Sequence, residues 1–187
     1  MLIVVKADIV VLIASPRVNG NCATAALAVA KECEAKGKKV ETVYLNRIEN
    51  LRGCQSCFGC KKACRCVIKD ATLPILDDIR DAEAIVLSSP TYFGEESGQM
   101  KLLLDRFFGF LTSEFHSNLV AGKKAVVITS CGTGHDGAVR VADKMAQICA
   151  MSGIETVGKI VIDDPQMGGK AVDAKLLAEA KKLADKL

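Results

Sequence analysis

This sequence has few aromatic residues and no large excess of charge of either sign. It has no tryptophan, and its aromatic residues together make up only 4% of 187 positions. Lysine and arginine number 25 against 22 aspartate and glutamate residues, so the formal net charge is +3. Proteins that bind nucleic acids use basic stripes or aromatic stacking platforms. The composition therefore argues against a nucleic-acid partner.

Long apolar segments are missing as well. No stretch approaches the ~20 apolar residues of a membrane span, and Lys6 and Asp8 interrupt the apolar N-terminus. That N-terminus also lacks the basic region of a signal peptide. We therefore expect no membrane association and a cytoplasmic location, where thiols stay reduced. The nine cysteines of the chain suggest metal or redox chemistry in that setting more than disulfides.

Short apolar runs rich in β-branched residues alternate with helical patterns along the chain. Such runs predict strands buried on both faces of a parallel sheet, with helices between them. The predicted strands are 9–14, 40–44, 84–88, 125–129 and 160–162, and apolar stripes at helical spacing occupy 23–35, 100–111, 138–149 and 176–187. The length predicts one domain, 1–187, with a cysteine-rich loop at 53–70. Ligands of such sheets bind beyond the carboxyl ends of the strands.

The loop after the first strand begins at residue 15 and reads SPRVNGN. Ser15 and Asn21 offer polar side chains, Arg17 offers a positively charged fork, and Gly20 allows a tight turn into the next helix. The start of that helix presents unpaired N–H groups and a positive dipole end, which suits a phosphate monoester. The spacing matches neither the dinucleotide-binding glycine motif nor the P-loop. An ordinary strand-to-helix turn is the alternative.

The loop after the third strand carries two adjacent aromatic side chains. Pro90 and Gly94 bracket Thr91, Tyr92 and Phe93, so a rigid turn brings two rings to the carboxyl edge of the sheet. Such a loop suits a flat aromatic ligand, with rings against its face and backbone amides at its polar edge. The alternative is a turn whose aromatic side chains pack on the helix that follows.

Together these two loops resemble the flavin-binding loops of the NAD(P)H-dependent FMN reductase-like flavoproteins, a flavodoxin-like family. With the cysteines that lie between them, the sequence is most similar to the iron–sulfur flavoprotein branch, and the resemblance covers most of the chain. It implies a flavodoxin-like three-layer α/β fold. The sheet would have five parallel strands in the order 2-1-3-4-5, with FMN at the point where the strand order reverses.

The resemblance also implies roles for individual residues. The FMN phosphate would be held by the start of the first helix and by Ser15, Arg17 and Asn21. Residues 90–94 would pack around the isoalloxazine ring, and the segment 130–134 would form a third flavin-side loop. Cys22 stands where the family usually has threonine or serine. One hydroxyl donor to the phosphate is then lost, while the backbone N–H remains.

Five cysteines fall within thirteen positions of the 53–70 loop. Four of them follow the spacing C-x2-C-x2-C-x5-C, namely Cys54, Cys57, Cys60 and Cys66. Three thiolates at this spacing can wrap one face of a cubane cluster, and the resemblance implies a [4Fe–4S] cluster on these four. Cys64 would complete the alternative C-x2-C-x2-C-x3-C spacing, although arginine rather than proline follows it. A zinc site and a thiol switch are the other interpretations.

The function that the resemblance implies is redox electron transfer. Electrons from a ferredoxin-like donor would pass through the cluster to FMN and then to a small acceptor such as a quinone, oxygen or peroxide. The chain would be a flavin-dependent oxidoreductase whose chemistry belongs to its cofactors, assembled as a homodimer or homotetramer. One alternative is an NAD(P)H-dependent FMN or quinone reductase without a cluster. Another is a non-enzymatic flavodoxin-like carrier or zinc-stapled module.

For most of the remaining candidate residues we predict structural roles. Cys149 and Cys33 lie on apolar helix stripes and are expected in the core. Cys131 follows the fourth strand, on the flavin side. Asp105 and Arg106 are expected to form an ion pair on a helix surface.

Overall fold

The computed structural model describes residues 6–187. Residues 1–5, which belong to the segment interpreted above as lacking a signal peptide, lie outside the described residues. In chain order the elements are β1 (Ile9–Ile13), α1 (Asn21–Ala35), β2 (Val40–Tyr44), α2 (Gly59–Ala63), α3 (Thr72–Asp81), β3 (Ala84–Tyr92), β4 (Glu95–Glu96), α4 (Gly98–Asp105), β5 (Lys124–Cys131), α5 (His135–Met151), β6 (Glu155–Asp163) and α6 (Ala174–Ala184). Short 3-10 turns, Leu45–Arg47 and Arg106–Phe110, follow β2 and α4.

The five parallel strands have the order β2-β1-β3-β5-β6. This is the predicted 2-1-3-4-5 order once the parallel strands are counted alone, so the predicted fold is confirmed. The additional strand β4 pairs antiparallel with the end of β3, with Thr91 opposite Glu96. Because β1 lies between β2 and β3, with Ile9 beside both Val40 and Ala84, the strand order reverses between β1 and β3.

Both faces of the sheet are covered by helices because its strands are apolar throughout. All five residues of β1 are fully buried. Val10 belongs to a core shared with α3, α4 and α5, and Val11 to a core shared with α1 and α6. Cys149 lies in the first core and Cys33 in the second, which confirms their predicted structural roles. None of the helices in residues 6–187 has the length and apolar content needed to cross a bilayer.

The structure extends the predicted elements where polar residues are buried. The strand β3 runs past its predicted end at 88 through the fully buried Ser89, and β5 runs past its predicted end at 129 because Ser130 and Cys131 still pair with β6. The helix α3 was not predicted because its apolar stripe is short. The apolar residues that it buries are Ile75, Leu76 and Ile79. Hydropathy patterns do not register buried hydroxyl residues or such short stripes.

Candidate functional site

A cavity of about 760 Å³ lies at the carboxyl edge of the sheet. Its walls come from the loops that follow β1, β3, β5 and β6, so it adjoins the point where the strand order reverses. All nine residues that the resemblance assigns to FMN line it: Ser15, Arg17, Asn21, Cys22, Pro90, Thr91, Tyr92, Phe93 and Gly94. The fold thus brings the two predicted loops together, and their role in binding FMN stays a prediction.

The start of α1 forms one end of this cavity. The helix begins at Asn21 after Gly20; no side chain of the described residues caps its first turn, which also has no acidic residue. Its first N–H groups are therefore available to an anionic group. Arg17 adds a positive charge, and its Nη1 donates a hydrogen bond of 2.9 Å to the carbonyl of Met167 across the site. This end of the cavity suits a phosphate.

The side chains of Asn21 and Cys22 are engaged with the protein itself. Asn21 Nδ2 donates to Asp164 Oδ2 at 3.0 Å, and Asn21 Oδ1 accepts the N–H of Ala171 at 2.7 Å. The Cys22 sulfur lies 3.1 Å from the Ser130 hydroxyl, and burial raises the pKa of this thiol to about 11. Their backbone N–H groups, at the start of α1, remain available to a phosphate, and the part of Asn21 in binding it stays a prediction.

Residues 90–94 form a tight hairpin between β3 and β4. Phe93 and Gly94 have positive φ angles of 52° and 82°, the backbone of a two-residue hairpin turn. Phe93 is fully exposed and Tyr92 is 48% exposed. Neither ring is therefore buried against α4, the alternative considered from the sequence. The hairpin holds both rings at the rim of the cavity.

The hydroxyl of Thr91 is a buried polar atom that lacks a partner. Thr91 lines the cavity, and its Oγ1 is buried with no hydrogen bond to any of the residues 6–187. Buried polar atoms of proteins are nearly always paired. The hydroxyl therefore fits a ligand atom that completes its hydrogen bonding, as the polar edge of a flavin would.

The loop after β6 forms a wall of the cavity that the sequence did not predict. It contributes Asp164, Met167 and Gly169. The Asp164 carboxylate accepts the N–H of Gly169 at 2.5 Å and the amide of Asn21, and these bonds hold the pKa of Asp164 below its ordinary value. One feature of the sequence could have indicated this wall: a pair of glycines follows the predicted strand 160–162, and that loop lies at the same edge of the sheet as the other loops.

The loops after β5 and β6 meet at a glycine. A Cβ on Gly132 would come within 2.7 Å of Met167 Cγ, so the glycine allows the two loops to approach closely. Residues 130–134 line the cavity beside this contact. Their place is the one expected of a third flavin-side loop, whose function remains a prediction.

A small polar cluster lies next to this loop. His135 Nδ1 is 2.8 Å from Asp163 Oδ2, and the Cys131 thiol donates to Asp163 Oδ1 at 3.3 Å. The hydrogen bond from His135 holds the pKa of Asp163 below its ordinary value. Burial, together with this carboxylate, raises the pKa of Cys131 to about 11. Cys131 lines the cavity, but as a protonated thiol it is a poor nucleophile at neutral pH.

The cysteine-rich loop is folded around the short helix α2. Phe58 and Cys64 flank this helix with left-handed backbones, at φ angles of 56° and 53°. These two reversals keep the loop compact. All five thiols are free; Cys60 is buried, Cys54 and Cys66 are partly buried, and Cys57 and Cys64 are exposed.

The donor set of this loop fits the expected [4Fe–4S] cluster in residue type, since thiolates are the ligands such a cluster takes. Burial raises the pKa of Cys60, Lys61 opposes that effect, and the nearby thiols of Cys66 and Cys54 add to it. Three of the four predicted ligands are therefore neighbours. Within residues 6–187 no group of three or more His, Cys, Asp or Glu side chains is arranged to hold one metal ion. A cubane cluster spaces its thiolates more widely than one ion does, and four cysteines are the ligands it takes.

The cysteine-rich loop rests on the 3-10 turn Arg106–Phe110. The Cys60 sulfur lies 4.0 Å from the carbonyl oxygen of Phe108. A Cβ on Gly109 would come within 3.2 Å of the Cys66 backbone nitrogen, so this glycine allows the close approach of Cys66. One short turn therefore contacts two of the four predicted ligands.

The predicted surface pair of Asp105 and Arg106 is wrong. Asp105 pairs instead with Lys101, and Arg106 is only 1% exposed. Arg106 forms a buried ion pair with Asp70, Nη1 to Oδ2 at 2.8 Å, and its Nη2 lies 3.2 Å from the Cys66 sulfur. Burial alone would raise the pKa of Asp70, but the hydrogen bond and charge of Arg106 hold it below its ordinary value.

Comparison with known proteins identifies the family. The family described as NADPH-dependent FMN reductase matches residues 7–166, which include the cysteine-rich loop and the loops after β1, β3 and β5. The chain belongs to this family. The family predicted from the sequence is thus confirmed.

Individual members of the FMN reductase family and proteins of related fold agree with this assignment. The chain is 37% identical over 95 residues to an iron–sulfur flavoprotein of Methanosarcina thermophila, an alignment that covers 49% of this chain and 48% of that relative. The chain thus spans about half the length of this curated relative. Several further proteins of the same name also match, which confirms the similarity to iron–sulfur flavoproteins.

Two solved structures show the same fold at low sequence identity. An NAD(P)H:quinone oxidoreductase from Methanothermobacter marburgensis superposes with a TM-score of 0.72 at 16% identity, over 96% of this chain and 95% of that chain. A flavodoxin from Streptococcus pneumonia TIGR4 superposes with a TM-score of 0.65 at 16% identity, over 96% of both chains. The fold of this family member is therefore flavodoxin-like.

Proposed function

We propose that this chain binds FMN in the cavity at the carboxyl edge of the sheet and acts as a flavin-dependent oxidoreductase. The observation that carries the proposal is the convergence of two distant loops, 15–22 and 90–94, on one cavity. Thr91 lines that cavity, and no described residue satisfies its buried hydroxyl. Membership of the FMN reductase family supports the same cofactor. When bound, FMN supplies the exchange between one-electron and two-electron transfer.

The cavity offers different surroundings to the two ends of such a cofactor. The uncapped N–H groups at the start of α1 and the guanidinium of Arg17 would hold the phosphate. The hydroxyl of Thr91 and the backbone of 90–94 would contact the polar edge of the ring system. Tyr92 would cover part of the ring face from the rim.

We further propose that Cys54, Cys57, Cys60 and Cys66 hold a [4Fe–4S] cluster. Support comes from their spacing, from the contacts of Cys60 and Cys66 with the turn Arg106–Phe110, and from the similarity to iron–sulfur flavoproteins. The cluster, when bound, exchanges single electrons. A ferredoxin-like protein is the donor we propose for it. The alternative donor is NAD(P)H, which would deliver two electrons as a hydride; the family description names NADPH.

The acceptors we propose are small oxidants that reach the open rim of the cavity. A quinone takes two electrons and two protons to become a hydroquinone, and oxygen takes the same number to become hydrogen peroxide. The exposed rings of Tyr92 and Phe93 at the rim suit a flat apolar acceptor such as a quinone.

We also propose that the working form is a homodimer or homotetramer. Within the described chain, the four predicted cluster cysteines do not line the cavity, so the two proposed sites lie apart. A second copy would bring its cysteine-rich loop close to the cavity rim, where Phe93 is fully exposed. Aromatic side chains are enriched at protein–protein interfaces relative to the rest of the surface.

One experiment tests these proposals together. The protein is purified anaerobically, its UV–visible spectrum is recorded, and flavin, iron, sulfide and zinc are counted per chain. Bound FMN with about four irons per chain is the expected result. FMN without iron after reconstitution would leave an NAD(P)H-dependent FMN or quinone reductase without a cluster. Zinc in place of iron, with no turnover of small acceptors, would leave a carrier or zinc-stapled module.

A further inference from the structure

The guanidinium of Arg106 joins the two ends of the cysteine-rich loop. Its Nη1 donates to the carbonyl of Arg52, just before Cys54, at 3.0 Å. Its Nη2 donates to the carbonyl of Ile68 at 3.5 Å and to Asp70 Oδ1 at 3.3 Å, both just after Cys66. A charged side chain that is 1% exposed is tolerated only when it is paired. Arg106 therefore closes the loop from inside the protein.

Cys66 and Cys64 differ in their relation to the Arg106 guanidinium. The Cys66 sulfur lies 3.2 Å from Arg106 Nη2, and the Cys66 backbone rests on Gly109. Cys64 is exposed and has a left-handed backbone, and its carbonyl accepts a 3.0 Å hydrogen bond from Asn118 Nδ2. The structure therefore holds the sulfur of Cys66 in place and leaves that of Cys64 at the surface.

Hydrogen bonds to sulfur and nearby charge are two means by which proteins tune iron–sulfur groups. An N–H group of a buried cation donates a stronger hydrogen bond than a neutral donor does, because charge acts over a low dielectric. Some residues do not bind the metal themselves but hydrogen-bond to its ligands and orient them. Replacing such a residue commonly lowers metal affinity by about 10- to 100-fold. Arg106 meets both descriptions at one sulfur atom.

We propose that Arg106 is a positioning residue that selects Cys66, rather than Cys64, as the fourth thiolate ligand and raises the reduction potential of the group held there. The proposal rests on the proposed [4Fe–4S] site. The hydrogen bond to the Cys66 sulfur stabilises the reduced, more negative state of that group, and the pair with Asp70 fixes the guanidinium in its place.

Two cysteine variants test the selection. Cys64→Ser and Cys66→Ser are reconstituted anaerobically with iron and sulfide, and iron, sulfide and FMN are counted per chain. We expect Cys64→Ser to retain about four irons per chain and Cys66→Ser to lose the cluster while both variants retain FMN. Loss of iron from Cys64→Ser with retention by Cys66→Ser overturns the selection. If the wild-type chain binds FMN but takes up no iron, the proposed cluster fails, and the role of Arg106 fails with it.

Arginine variants test the effect on the potential. Arg106→Lys keeps the positive charge but loses the planar guanidinium that donates from two nitrogen atoms. The double variant Arg106→Gln with Asp70→Asn removes both buried charges together. Arg65→Lys is the matched control, because Arg65 is an exposed arginine of the same loop that pairs with Asp77. In redox titrations followed by electron paramagnetic resonance, we expect a lower potential in both Arg106 variants and an unchanged one in Arg65→Lys. A wild-type potential in the charge-free double variant, with folding verified by urea unfolding, overturns the proposal.

Discussion

Asn21 at the start of α1 and Asp164 at the end of β6 are joined by a buried hydrogen bond of 3.0 Å, although 143 positions separate them in the sequence. Through this contact, the helix that would face the FMN phosphate also holds the loop that forms the opposite wall of the cavity. The Asn21 side chain accepts the N–H of Ala171 as well, so one amide fixes both ends of that loop.

Replacing Asn21 by alanine should therefore destabilise the protein. Its loss leaves the buried Asp164 carboxylate and the Ala171 N–H each short of a partner, and we expect the free energy of unfolding to fall by about 1–3 kcal/mol. Urea unfolding of the FMN-free protein measures this change. Lys31→Ala, at an exposed position of the same helix, should change it little. Equal stability of the two variants would contradict the role assigned to Asn21.

The Asp164 carboxylate predicts a pH dependence of stability. The N–H of Gly169 and then the amide of Asn21 hold its pKa in the folded protein below the ordinary value. Its contribution is therefore present above the unfolded pKa, about 3.9, and is lost as the pH falls through the lower folded value. The stability difference between wild type and Asp164→Asn should be constant near neutral pH and shrink below about pH 4.

Urea unfolding of both proteins at a series of pH values measures that difference. Asp143→Asn, which removes an exposed aspartate that pairs with Lys159, is the matched control for the loss of one surface carboxylate. A difference between wild type and Asp164→Asn that grows on acidification would have the wrong sign for this mechanism.

Thr91 gives a prediction that separates binding from stability. Valine has the same shape without the hydroxyl, so Thr91→Val removes a buried oxygen that no described residue satisfies. We expect the FMN-free protein to be as stable as wild type or slightly more so, because an unpaired buried hydroxyl is unfavourable. FMN affinity should fall about 2- to 10-fold, the effect of one neutral hydrogen bond.

Fluorescence titration with FMN and urea unfolding provide the two measurements. Thr156→Val is the control, since the Thr156 hydroxyl is also buried without a partner in residues 6–187 but is absent from the cavity wall. It should leave FMN affinity unchanged. Equal losses of affinity in the two variants would show that the Thr91 hydroxyl does not contact the cofactor.

The packing of α6 on the sheet depends on Gly158 in β6. A Cβ at this position would come within 2.2 Å of Leu183 Cδ2, so Gly158→Ala should lower the free energy of unfolding by about 1–3 kcal/mol through overpacking. Gly168→Ala, where an added Cβ meets no atom within 4 Å, should be nearly neutral. Thermal unfolding compares the two. Combining Gly158→Ala with Leu183→Ala should show favourable coupling between the sites, and its absence would argue against the steric cause.

Much of the fold could be predicted because the signals are local. The run at Ile9–Ile13 is buried on both faces, and continuous apolar runs of this kind indicate central parallel strands. The ends of β3 and β5 could not be predicted, since Ser89 is a polar residue buried by its neighbours in the sheet and Ser130 continues β5 only through its pairing with β6. The short helix α3 could not be predicted for a similar reason, because its burial depends on the elements that pack against it.

The candidate site divides in the same way. The two loops assigned to FMN are recognisable from residues within a few positions of each other, and so is the cysteine spacing. The wall formed by Asp164 and Met167 depends on β6 lying beside β5, which no local pattern specifies. The side-chain contacts of Asn21 could not be predicted because its partners, Asp164 and Ala171, lie far away along the chain.

The sequence by itself therefore determined the strands, the loops at their carboxyl ends and the cysteine donor set, because each depends on residues near one another in the chain. Only the tertiary structure decided that Arg106 is buried beside Cys66 and pairs with Asp70, 36 positions away. In sequence, an Asp–Arg pair at a helix end resembles a surface pair. Burial and a distant carboxylate make it the closure of the cysteine-rich loop, since a desolvated guanidinium requires partners that only the folded chain can supply.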